Sequence, residues 1–222
     1  MADFEIRSAS DLARLVQSYG FLPLLKNQIP GFSVEEHTPP ELWFADDVDG
    51  PWEWKGPVIR KTGCAYGKFF RGKAGFITRE CFCDFANYRR DGYDFDARYD
   101  DGLAKYQDKL VYDILAEHGP LLSKEWRKQA GIQKRGVFDG IVNRLQMLGY
   151  VTTIDFVYAK DRLGNPYGWG LAQYATPENY FGPDFVCHVY DREPSESRER
   201  LYKYFRDLLP QASEKQLEMM IG

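Results

Sequence analysis

The sequence predicts an α+β protein, and three observations carry that reading. Apolar residues recur at helical spacing near the start, through the middle and at the C-terminal end. Between them lie runs of β-formers bounded by glycine, notably around 64–78 and 150–174. The chain has 222 residues, 44% hydrophobic and 28% charged, which is enough to bury a sizeable core and too apolar for a disordered chain. No apolar run approaches the roughly 20 residues of a membrane span, so no membrane association is expected. The opening fifteen residues carry acids early and lack an apolar segment, unlike a secretory signal. Cys64, Cys81, Cys83 and Cys187 fit the free thiols of a cytoplasmic protein better than a disulfide scaffold.

Three zones separate by pattern, 1–102, 103–176 and 177–222. The first opens with a helix in which Ser10 is a candidate cap and Leu12, Leu15, Val16 and Tyr19 form the apolar stripe; Gly20 ends it. Phe21 to Leu25, interrupted by Pro23, reads as a buried loop. Short strands are expected around 41–45, 57–62, 64–70 and 74–78, the last two joined by a tight Arg-Gly-Lys turn. Asp91 to Asp101 reads as a connector. This zone is the mixed β-rich region of the N-terminal half, with the 16% aromatic content available to fill a small core or line a groove.

In the second zone Leu103, Leu110, Ile114 and Leu115 mark a helix that stops at Gly119-Pro120. Ser123 starts a short helix containing Trp126 and closing at Gly131. After Lys134 and Arg135 a third helix carries Phe138, Ile141, Val142, Leu145 and Leu148 to Gly149. Tyr150 to Tyr158 and Trp169 to Tyr174 then form a hairpin around Asp161 to Pro166. Helix, helix, helix, hairpin is the order of a winged helix-turn-helix. The third zone holds a charged helix from about Ser195 to Leu209 and a last helix capped by Ser213, with Leu217, Met220 and Ile221 apolar.

A net charge of -4 excludes a uniformly basic nucleic-acid binder, so such a role must come from local asymmetry. Residues 103–176 supply it: ten Lys and Arg stand against seven Asp and Glu, while the rest of the chain is net negative by seven. In a DNA-facing winged helix the third helix enters the major groove and the wing touches the backbone. Lys134, Arg135, Asp139, Asn143 and Gln146 are then the polar face of that helix. Asn143 and Gln146 are candidates to read adenine, Lys160 and Arg162 sit at the wing tip, and Lys124, Arg127 and Lys128 are candidate phosphate contacts.

A second candidate is a pocket built from Trp52, Glu53 and Trp54 with Lys68 and Arg71 of the glycine-rich hairpin. Were the segment a strand, both indoles would share a face and could stack on a base, with Glu53 on the other side. The other reading of the same residues is a structural aromatic corner and a plain turn. No phosphate-loop or dinucleotide fingerprint occurs. Cys81-x-Cys83 with Cys64, Cys187 and His188 lacks the usual zinc spacing, so no metal and no cofactor are expected.

The Trp-Glu-Trp-Lys-Gly-Pro block, the Tyr66 to Phe76 hairpin, Phe85-Ala86-Asn87-Tyr88-Arg89-Arg90 and the segment after it together resemble a bacterial family described as AlkZ-related, over about residues 10–175. Relatives of that group include YcaQ-like DNA glycosylases, built from winged-helix motifs and a β-barrel, which excise alkylated or crosslinked bases. The resemblance implies a DNA-repair or regulatory setting and DNA as partner. Their Gln-x-Gln signature is absent, since Gln107 and Gln173 are isolated, so no catalytic residue is carried over. Two alternatives accompany the nucleic-acid reading. One is a divergent DNA glycosylase, with the base on Trp52 or Trp54 and water activated by Glu53 or Asp84. The other is a non-catalytic protein-interaction module. The apolar C-terminal helix also offers a surface for a homodimer.

Overall fold

The computed structural model describes residues 4–44 and 48–222. It opens with α1 (Ala9–Tyr19), whose stripe of Leu12, Leu15, Val16 and Tyr19 is buried as the spacing requires. The cap is Ser8, not Ser10: the Ser8 hydroxyl accepts the Asp11 N–H at 3.1 Å, and Asp11 reinforces the first turn. Gly20 ends the helix at φ 65°. The expected loop at Phe21 is a short buried strand, β1 (Phe21–Pro23). Pro23 is tolerated there because β1 lies at the sheet edge.

A short helix α2 (Val34–His37) and a 3-10 turn at Pro40–Leu42 follow, where a strand was expected over 41–45. Residue 45 lies outside the described residues. The strand expected at 57–62 is also absent: Pro51–Thr62 is a helix, α3. Gly50 at the cap, Pro51 at the first position and Glu53 reaching back to the Gly50 N–H at 3.0 Å start it. Pro57 lies on its exposed side.

The hairpin β2 (Ala65–Phe70) and β3 (Lys73–Ile77) turns through Arg71 and Gly72 at φ 51° and 80°, the left-handed pair a two-residue loop demands. Next come α4 (Arg79–Arg90) and α5 (Phe95–Asp100), both inside stretches the sequence reading left without a helix. The middle of the chain is α6 (Tyr106–His118), β4 (Leu121–Leu122), α7 (Ser123–Gln129), α8 (Arg135–Met147), β5 (Thr152–Lys160) and β6 (Pro166–Ala175). On α6 the buried face is Val111 and Leu115, while Leu103 and Leu110 are exposed, so the stripe is rotated from the one expected. The chain ends in α9 (Pro177–Phe181), α10 (Pro183–Cys187), α11 (Pro194–Leu208) and α12 (Glu214–Ile221). Ser213 caps α12 in a box with Gln216.

One antiparallel sheet runs β1-β3-β2-β5-β6-β4. Its two three-stranded halves meet at a narrow seam, where β2 pairs β5 through Tyr66 and Thr153 and Thr152 Oγ1 accepts the Tyr66 N–H at 3.1 Å. Two cores flank that seam. The larger gathers α1, α3, β1 to β3 and α4 with Phe181, Leu201, Phe205, Leu217 and Ile221. The apolar residues of α12 thus pack into the chain's own core. The smaller holds Phe95, Val111, Leu115, Trp126, Phe138, Ile141, Leu145 and Tyr150, with Trp126 Nε1 donating to the Val111 carbonyl at 2.8 Å. Among the described residues no helix is long and apolar enough to cross a membrane.

Candidate nucleic-acid interface

The expected polar face of the third helix, α8, divides along its length. Arg135 and Asp139 are exposed and form a 3.4 Å surface pair; Lys134 is exposed beside them. One turn further on, the helix lies against the β2–β3 hairpin. Gln146 is only 3% exposed. Its Oε1 accepts the Lys68 N–H at 3.2 Å and its Nε2 donates to Thr153 Oγ1 at 3.3 Å. Gly67 permits this approach, since a Cβ there would stand 3.2 Å from Gln146 Nε2. Asn143 sits beside Gly72 at the hairpin turn, and its Oδ1 is buried without a partner. Gln146 and Asn143 therefore do not present an open reading edge; tertiary contact with β2 has taken their side of the helix.

The other candidates scatter. Lys124 and Lys128 are exposed on α7, and Arg127 donates to the Gln133 carbonyl at 3.2 Å. Lys160 and Arg162 are exposed at the hairpin tip, where Asp161 ties the turn to Leu163 and Asn165. Leu163 and Trp169 are 88% and 81% exposed there. Trp52 and Trp54 lie on different sides of α3, because the segment is helical: Trp54 is buried in the large core, and Trp52 lines a cavity. Glu53 is engaged in the helix cap. Asp84, on α4, is held by Arg192 and by Arg200 at 2.9 Å. Among the described residues no group of three His, Cys, Asp or Glu stands together as a metal site, and the four cysteines are free.

What the fold does assemble is a band of four adjoining cavities. The first, about 400 Å³, lies between α7, the start of α8 and β6, with Lys124, Arg127 and Arg135 on its walls. It shares Ala172 and Tyr174 with the second, about 340 Å³, which sits over the sheet seam. These two residues alternate on one face of β6, so both cavities open on the same side. The second cavity shares Leu25 and Lys73 with a third of about 540 Å³. That in turn shares Arg71 and Met219 with a fourth, of about 460 Å³, which Arg89 and Lys215 flank. Along the whole band ten Lys and Arg stand against two acids, Asp139 and Glu218.

The second cavity is the most differentiated. Tyr66, Gln146, Thr153 and Tyr174 form part of its lining, with Trp52 and Phe156 as aromatic wall. Burial pushes the Tyr174 phenol up to about 12, and the neutral hydroxyl is the form present there. Lys55 reaches in from α3, its Nζ 4.8 Å from the Trp52 ring centre and 4.4 Å from that of Phe156. Among the described residues no carboxylate is within ion-pair distance of Lys55. Burial lowers its pKa to about 8; Glu53 opposes that shift and the neighbouring Lys68 adds to it. The two rings supply a cation–π contact without neutralising the charge.

The family model described as AlkZ related matches residues 6–222. The chain belongs to the AlkZ-related family. No curated protein and no solved structure matches it. The match spans the AlkZ-related chain from α1 to α12, so both halves of the sheet, and the band that crosses them, are within the family unit.

Sequence reasoning named Lys68 and Arg71 for a pocket and Lys124, Arg127 and Arg135 for phosphate contact, and all five line the band. The hairpin from Lys68 to Lys73 with Arg89 was also a candidate phosphate surface, and Lys73 and Arg89 line the band; Lys55, Lys26 and Lys215 were missed. Lys55 stood in the block already singled out; a helix-start reading of Gly50-Pro51-x-Glu53 would have separated the two tryptophans and set Lys55 one turn after Pro51.

Proposed function

We propose that this member of the AlkZ-related family binds DNA along the cationic band, with residues 103–176 acting as a winged helix-turn-helix whose third helix contributes its N-terminal end instead of its full polar face. The observation that carries the reading is the segregation of charge: ten cations and two acids line four neighbouring cavities that share residues with one another, in a chain whose net charge is -4. Phosphate contacts supply most non-specific affinity and release counterions. The family relationship to AlkZ supports a DNA-repair setting. A second reading, base excision, draws on the second cavity, whose aromatic wall and polar hydroxyls suit an unstacked base.

Measurement of duplex and single-strand affinity against salt tests the reading. If the band meets about five phosphates, the slope of log K against log salt is about -4.5 for duplex. Lys68→Glu combined with Lys73→Glu flattens that slope and weakens binding by about tenfold or more. A salt-independent affinity, or none at low salt, overturns the proposal and leaves the protein-interaction reading in its place.

A further inference from the structure

We propose that Lys55 is a carbonyl-condensing amine, and that its substrate is an aldehyde carried on a phosphate backbone, such as the ring-opened sugar of an abasic site in a DNA strand. The choice of strand rests on the DNA reading above; the choice of amine does not. A lysine serves as a nucleophile only with a free lone pair, and enzymes obtain one by desolvating the amine or by placing another cation beside it. Lys55 has both. It is wedged between Trp52 and Phe156 at the wall of a cavity, Lys68 lies close enough to repel its charge, and no carboxylate pairs with it among the described residues. Burial brings the pKa down to about 8, so the neutral amine is a minor form at pH 7 that grows as pH approaches 8, far more than for a free lysine.

The surroundings define the substrate. The aromatic wall accepts a flat or apolar group, while Lys68 and Lys73 line the same cavity and Arg71 the next one, cations that suit a substrate carrying phosphates. The neutral Nζ attacks the aldehyde carbon, a C–N bond forms, and the carbonyl oxygen takes up a proton. Loss of that oxygen as water leaves an imine, which is protonated at nitrogen. No oxidant or cofactor enters the balance.

The test is reductive trapping. Full-length protein is incubated with an abasic-site oligonucleotide and sodium cyanoborohydride, which fixes an imine as a secondary amine, and the adduct is located by peptide mass mapping. The expected adduct is at Lys55, with Lys55→Arg trapping at least about 50-fold less than wild type. The mapping uses wild-type protein, so the result does not depend on how the variant folds. Adducts spread over exposed lysines, or absent from a protein that binds the oligonucleotide, overturn the amine assignment and leave the DNA reading intact. A protein that binds no DNA at low salt ends the DNA reading alone. In that case glyceraldehyde 3-phosphate, which needs no strand, decides the amine: selective trapping at Lys55 upholds it and random labelling ends it.

Discussion

Arg90 is a fully buried cation at the joint between the two cores and Lys55 a half-buried one at the cavity over the sheet seam, and the molecule treats them in opposite ways. Arg90, at the end of α4, is fully enclosed and lies over the Tyr150 ring at 4.5 Å. Its guanidinium donates to Glu178 at 2.5 Å, to the Tyr190 hydroxyl at 2.8 Å and to the Gly149 carbonyl at 2.7 Å. It thereby ties α4 to α9, to the turn after α8 and to the C-terminal segment. Burial works against the charge, but Glu178 with Tyr190 and Tyr150 together more than offset it, and the pKa is held above the usual arginine value. Lys55 receives two aromatic faces and, among the described residues, no carboxylate within ion-pair distance, and burial lowers its pKa to about 8. Arg90 meets an anion and two further acceptors and so cements the fold, whereas Lys55, among the described residues, has no such carboxylate.

The contrast is sharpest under mutation. Arg90→Met leaves Glu178, Tyr190 and the Gly149 carbonyl without their donor, and unfolding in urea should show a loss of about 3–5 kcal/mol. An unchanged midpoint would break the comparison at its structural end. Lys55→Met removes a half-buried charge that has no carboxylate within ion-pair distance among the described residues, and should stabilise the protein by about 1–2 kcal/mol at pH 7. Below pH 8 the folded and unfolded chains both carry the Lys55 proton and the desolvation cost is fully present. Between about 8 and the 10.5 of a free lysine only the unfolded chain holds it, so the wild type gains on the Met variant as pH rises. Parallel urea titrations at pH 7 and pH 10 read that narrowing, and a constant difference would contradict it. The smallest effect belongs to a cation with neither fate. Arg135→Ala removes only an exposed pair with Asp139, so thermal melting should move by less than about 0.5 kcal/mol. Its DNA affinity should nonetheless drop a few-fold in a binding titration, which separates fold from interface.

The readable parts of the chain were those whose local pattern and tertiary role agree. Phe138, Ile141, Val142 and Leu145 repeat at helical spacing and face the small core. The Tyr66 to Phe76 hairpin carries its turn in Arg71 and Gly72. In α3 the β-formers Val58 and Ile59 beside Pro57 suggest a strand, yet the cap at Gly50 and Glu53 prevails over local propensity. Helix α4 was hidden because part of its buried face is polar: Asn87 and Arg90 share it with Phe82, Phe85 and Ala86. Gln146 was misread for the same reason, since its partners Lys68 and Thr153 come from strands on both sides of the seam. The band itself draws residues from across the chain, from Lys26 to Lys215, and no local window contains it.

Direct strand pairing between the two sheet halves is confined to Tyr66 and Thr153. The cavity above takes Tyr66, Gly67 and Lys68 from one side and Thr153, Phe156 and Tyr174 from the other. An occupant that touches both walls adds contacts where the strand pairing is sparsest, and its binding energy then helps hold the two halves together.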